Sequence, residues 1–291
     1  MKKIGYISGR RIQGDLSLGY DPMMNRGGRM IIGEALTSTE QDYDEDSAVQ
    51  NYALGTKMIL PRGRVFHYAK AGGTLVPDMG VKNASNQYVV FRVVAAAAKG
   101  ATQVLVTCTA ADGIAANGTI AANELVGGHI VIFAGGLVSA INREVIANSA
   151  ISVATTLVMT VTLDRPLPFL IGASTCEIMH SEYFNVQNDV VNYHSVVGLA
   201  MLPSAINRYL WLQTWGPTWM NAQLTVGESL VRVNNRQVVF RADGSLGLAG
   251  HTDVAGTFDQ TTHYAQHAGY ILCSLLGGAQ GAPFVYLQIA P

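Results

Sequence analysis

The sequence predicts an all-β chain: an antiparallel β-barrel or β-sandwich with an inserted β-unit and an extended N-terminal arm. Three observations predict it. Short runs alternate apolar and polar residues, the period of a half-buried strand. Gly, Asn, Asp and Ser separate those runs, and almost nothing carries helical spacing. The 31 glycines among 291 residues fit a chain of many turns and closely packed strands. Charged residues are only 13% against 49% apolar, about half the usual globular share of charge. Such a surface is polar but neutral, or is covered by partners.

Residues 1–50 differ from the rest. Up to Arg29 there are six basic residues, Lys2, Lys3, Arg10, Arg11, Arg26 and Arg29, against Asp15 and Asp21. From Met30 to Gln50 there are six acids, Glu34, Glu40, Asp42, Asp44, Glu45 and Asp46, and no base. Charge blocks favour extended, solvated chain over a core. The segment reads as an arm that orders on a partner surface, with Arg10, Arg11, Arg26 and Arg29 as interface candidates. The plainer reading is a loose terminus.

Residues 51–87 together with 181–291 read as one β-barrel domain. YALGTKMIL leads into Pro61-Arg62-Gly63 and RVFHYAKAGG follows. Proline presets φ and glycine takes a positive φ, so this is a hairpin turn. TLVPDMGV supplies a further short strand. Beyond residue 181, YFNVQND, VVGLAML, YLWLQTWG, ESLVRVNN, RQVVFRADG, GYILCSLLGG and PFVYLQIA follow at short intervals. NN and RADG are hairpin-type turns.

Residues 88–180 read as an inserted β-rich domain. YVVFRVV, QVLVTCTA, LVGGHIVIFAG and SVATTLVMTVTL repeat a strand–turn–strand rhythm, and AAAAKG suits a short helical turn. Thr dominates the polar positions and shares with Val a preference for pleated surfaces. DRPLP marks an exit corner, because proline cannot donate to a ladder.

The residue patterns carry little chemistry. His263 and His267 have the spacing of a helical zinc pair, but no Glu follows the first as in HExxH and the segment is loop-like. Ser195 follows His194 without a GxSxG elbow. The Gly-rich stretches lack both GxGxxG and a P-loop lysine. Cys108, Cys176 and Cys273 have no metal-ligand spacing and read as reduced thiols of a chain made in a cytoplasm. The expectation is no enzyme, no cofactor and no metal. A net charge of -1 and scattered basic residues argue against nucleic acid. The apolar stretches are too short and broken to span a bilayer, and no apolar run backs the basic N-terminus as in a secretory signal.

One cluster stands out. Trp211, Trp215 and Trp219 hold every Trp of the chain. Alternation puts Tyr209, Trp211 and Trp215 on one strand face. That face is either core or a subunit interface, where Trp and Tyr are enriched. Stacking on carbohydrate is a third reading.

Four phrases, in order, resemble phrases of tailed-bacteriophage structural proteins. They are ALGTKMILPRGRVFHYAKAGGTLVPDMGV (53–81), ELVGGHIVIFAG (124–135), VVGLAMLPSAINRYLWLQTWGPTWM (196–220) and GYILCSLLGGAQGAPFVYLQIA (269–290). The group is that of capsid decoration (cement) proteins and neighbouring virion proteins. The resemblance implies a β-barrel or β-tulip-like fold and no enzymatic activity. It further implies binding to the major capsid protein on the outer capsid surface, self-association as a homotrimer and synthesis in the host cytoplasm. The alternatives are a tail, fibre or other minor virion component, and a carbohydrate-binding β-protein using the Trp cluster.

Overall fold

The computed structural model describes residues 4–7, 10–13, 30–83, 89–134, 140–188, 194–222, 236–249, 266–273 and 284–291. Among them the chain is all-β, with twenty strands and one 3-10 turn. It divides into two compact units, Met1–Ala84 with Asn185–Pro291, and Ser85–Phe184.

The first unit is one large antiparallel sheet. Its main path runs β1 (Ile4–Ile7), β2 (Arg10–Gln13), β3 (Met30–Ile32), β5 (Lys57–Ile59), β6 (Val65–Lys70), β16 (Tyr209–Trp219), β20 (Phe284–Gln288), β19 (His267–Cys273), β17 (Gln237–Phe240) and β18 (Leu246–Leu248). Four strands branch from it: β4 (Asp46–Ser47), β7 (Gly80–Asn83), β14 (Val186–Gln187) and β15 (Val196–Ala200). The β5–β6 hairpin turns at Pro61–Gly63, where Arg62 and Gly63 both take positive φ, 71° and 82°. Glycine tolerates that region freely, so the PRG motif makes the turn. RADG likewise closes β17 on β18 with Gly244 at φ 84°.

β16 is the hub. One edge pairs with β6 and the other meets β4, β15 and β20 in succession. Its N-terminal half caps a core of Tyr52, Met58, Phe66, Tyr68 and Trp211. Met220, just past its C-terminal end, belongs to a second core with Val238, Phe240, Leu246, Ile271, Val285 and Leu287.

The second unit is a closed barrel, ordered β10 (His129–Phe133), β11 (Ala140–Asn148), β12 (Val158–Leu163), β9 (Gln103–Thr107), β8 (Val89–Val94) and β13 (Ser174–Met179), which returns to β10. Alternation fills the interior: Val104, Val106, Ile130, Ile132, Met159, Val161 and Ile178 all point inward. The closed barrel therefore lies in the insertion, whereas the sequence reading assigned it to 51–87 plus 181–291. Period-2 patterning reports that one face is buried; it does not report whether a sheet closes on itself. AAAAKG is not helical either. Ala97 bridges to Ile171 and Gly100 takes φ 86° in a turn.

The acidic half of the N-terminal segment departs from the expected solvated arm. β3 pairs with β5 and buries Ile31. Gln41 is buried and pins the acidic loop: its Nε2 donates to the carbonyls of Tyr209 (2.7 Å) and Glu45 (2.9 Å), and its Oε1 accepts from Tyr68 Oη (2.7 Å) and Asn51 Nδ2 (3.0 Å). The carboxylates drew the reading toward solvent, but the neutral residues between them carry the packing.

Candidate interaction surface

The surface begins with a defect in β16. Gln213 pairs with Phe66, but Trp215 pairs with Val65, so two residues of β16 oppose one of β6. This β-bulge at Thr214 reverses the facing of everything after it. Trp211 stays on the core side, fully buried between Tyr52 and Tyr68, with centroids at 5.0 and 4.9 Å. Its Nε1 donates to the Gln41 carbonyl at 3.1 Å. Tyr209 lies on the same side, stacked on Tyr68 at 6.2 Å with Lys70 Nζ over its ring at 5.9 Å. Trp215 turns to the opposite side. The single face expected for Tyr209, Trp211 and Trp215 is thus two faces, because the extra residue breaks the alternation.

Gln213 holds the bulge open. It is fully buried, and its Nε2 lies 3.1, 3.3 and 3.2 Å from the carbonyls of Trp215, Gly216 and Pro217. Its Oε1 accepts from Arg64 Nη2 at 2.6 Å. Arg64 is itself packed over the Phe66 and Tyr43 rings, at 5.0 and 5.2 Å.

Past the bulge, Trp215, Pro217 and Trp219 point outward and line up with β20 and, through it, β19. Trp219 pairs with Phe284, Pro217 with Tyr286, Trp215 with Gln288, and Tyr286 with Tyr270. Trp215 Nε1 donates to Tyr286 Oη at 3.1 Å, with the rings edge to face. Tyr286 and Tyr270 stack at 5.4 Å, only 7° from parallel. At one end the face is apolar and open: Trp219 is 42% exposed, and Phe284, Tyr270 and Leu272 are each 40% exposed. At the other it is polar, with His267 Nδ1 3.2 Å from Gln237 Nε2 and its Nε2 3.2 Å from Gln288 Oε1. None of these positions on β16, β20, β19 and β17 is charged. The four open side chains present roughly 300 Å² of largely apolar surface, within the range of the largest patch on a monomer. An apolar centre with a polar margin is the layout of a protein contact.

Of the interface candidates, Trp215 and Trp219 belong to this face, while Trp211 and Tyr209 belong to the core side. Arg10 and Arg11 lie in β2, their side chains outside the described residues, as are Arg26 and Arg29. Tyr270, Leu272, Phe284 and Tyr286 escaped the sequence reading, although alternation in YILCSLL and FVYLQIA already puts each pair on one face. Their register against β16 is the missing signal. His263 is outside the described residues, and His267 faces the two glutamines rather than a metal-ligand set. Among the described residues no three His, Cys, Asp or Glu side chains group for a metal ion.

No protein-family model matches the chain, and no curated protein or solved structure does either.

Proposed function

We propose that this chain is a non-enzymatic virion structural protein that binds the outside of a phage capsid and stabilises it, with the Trp219–Phe284–Tyr270–Leu272 face as a docking surface. The observation that carries the reading is that face: exposed aromatic side chains held in register on three paired strands, with no acidic or basic residue among them. Trp and Tyr anchors of this kind concentrate binding energy in protein contacts. The phage setting rests on the resemblance of residues 53–81, 124–135, 196–220 and 269–290. The partner is the major capsid protein, and the chain self-associates, as a homotrimer on the same resemblance.

A shell under internal pressure is stabilised by many copies of a modest contact, so affinity per copy need not be high. A rigid sheet face also suits this role, because little side-chain freedom is lost when stacked rings dock.

The test is co-sedimentation of the full chain with capsids lacking it, comparing wild type with Trp219→Ser and Phe284→Ser. The expected result is loss of capsid binding with an unchanged melting temperature. Full binding by both variants overturns the docking assignment. Capsids that never bind wild type, combined with glycan binding lost in Trp219→Ser, replace it with the carbohydrate reading.

A further inference from the structure

We infer that the outer face of the 85–184 barrel formed by β8, β9 and β12 is a contact between two copies of this chain. The inference is independent of the capsid reading and uses a different surface.

The face is built row by row from the barrel register. Val93 on β8 and Val158 on β12 both pair with Thr107 on β9. Leu105 pairs with Thr160 in the next row, and Gln103 with Thr162 in the third, where Gln103 Nε2 donates to Thr162 Oγ1 at 3.3 Å. Ile146 projects from a bulge of β11 beside Thr162. The large aliphatic members are open: Val93 52%, Ile146 50%, Leu105 49% and Val158 46% exposed. Their neighbours inward, Val94, Val104, Val106, Met159 and Val161, already fill the barrel core, so these side chains cannot be recruited to it.

Charge is partitioned around the barrel. The outward positions of β9 and β12 and the described ones of β8 carry none. The other three strands mix charged and polar groups outward, His129 on β10, Asn142 and Glu144 on β11 and Glu177 on β13, with the apolar Val131, Phe133 and Met179. A run of four open aliphatic side chains with only Thr and Gln between them and no charge marks a covered surface.

A second copy is the occupant that fits. A charged partner would lose hydration against this face and gain no ion pair. Two copies meeting across a two-fold axis oppose neutral to neutral, with no like charges in contact. Three adjacent strands from each copy meet face to face, Val and Leu interleaving at the centre and the Thr hydroxyls pairing or staying wet at the margin. The face offers roughly 500–700 Å² per copy, close to the ~800 Å² per partner of a standard interface.

The test is native mass spectrometry and sedimentation velocity on the full chain. Wild type is expected to show two-fold species, a dimer or pairs of a smaller oligomer. Leu105→Lys is expected to weaken that association at least about tenfold, whereas His129→Lys, outward on β10 opposite β9 in the closed barrel, leaves it unchanged. Mixing Leu105→Lys with Leu105→Asp restores association, which a merely misfolded variant cannot do. A wild type without two-fold species, an unaffected Leu105→Lys, or a mixture that stays dissociated each overturns the assignment.

Discussion

Trp211 and Trp215 lie on one strand yet face opposite sides of their sheet, because the bulge at Thr214 inserts one residue between them. Trp211 is sealed in the Tyr52–Tyr68 core, and Trp215 hydrogen-bonds Tyr286 on the outer face. A single extra residue therefore separates the part of the aromatic cluster that is sealed in the core from the part that lies on the outer face.

Gln213 is the residue on which that separation depends. Gln213→Ala leaves the carbonyls of Trp215, Gly216 and Pro217 without their amide and takes the acceptor from Arg64. An unsatisfied buried group costs ~1–3 kcal/mol, so a loss of about 3 kcal/mol is expected, allowing for relaxation. The outer Trp residues should also shift their emission as the bulge relaxes. Equilibrium denaturation with tryptophan fluorescence checks both; unchanged stability and spectrum would refute the role of Gln213.

Acid should weaken the fold through two buried imidazoles. Burial depresses His67 and His180 to about 4, with the Lys57 charge adding to the effect at His67. His180 Nδ1 has no hydrogen-bond partner, and burial outweighs the Glu124 backbone hydrogen bond that favours the protonated ring. The unfolded chain binds a proton at each near 6.5. It therefore takes up more protons than the folded chain between pH 6.5 and about 4. Stability is intact above that window, falls as pH drops through it, and levels off below. The full effect is on the order of 3 kcal/mol for each ring. Melting curves from pH 7 to 4 should show the fall, and His180→Leu should remove about half of it. A wild type with flat stability across that range would contradict the burial of these rings.

The barrel cysteines should be silent until the barrel opens. Cys108 and Cys176 are buried and reduced, and burial, with Asp112 nearby, pushes both thiols up to about 12. The thiolate is the reactive form, so a thiol reagent meets almost none of it at neutral pH. In a Cys273→Ser background, labelling should proceed only as fast as the barrel unfolds. Labelling within minutes under native conditions would show the interior to be open.

Much of the fold is legible in the residues because each signal is local. Alternation finds the strands, PRG and RADG find their turns, and the switch of composition near residue 88 finds the insertion that the structure bounds at Ser85 and Phe184. What is not legible is pairwise. Barrel closure in the insertion depends on β13 returning to β10, which no local pattern announces. The outer aromatic face needs the register of β16 on β20 and of β20 on β19, fixed by side chains far apart in sequence. The bulge is hidden because Trp211, Gln213 and Trp215 keep a spacing of two, which reads as one face when no partner strand is known. Its signal is the pair of Gly216, at φ 95°, and a buried glutamine, which only the structure connects.

The aromatic platform rests finally on Gly269. This residue takes φ 141°, and a Cβ built on it would lie 1.9 Å from the Tyr286 carbonyl oxygen and 3.0 Å from its carbon. Those are backbone atoms of the neighbouring strand, so they cannot swing aside as a side chain would. Gly269→Ala must push β19 away from β20 or abandon the local conformation. Overpacking and strained φ each cost ~1–3 kcal/mol, so a loss of roughly 3 kcal/mol is expected. Displacing β19 also breaks the Tyr270–Tyr286 stack, and with it one half of the proposed docking face. Thermal denaturation reads the first effect, and capsid co-sedimentation at a temperature where the variant remains folded reads the second. A variant that melts with wild type and binds as well would mean that β19 and β20 do not approach each other as closely as this register requires.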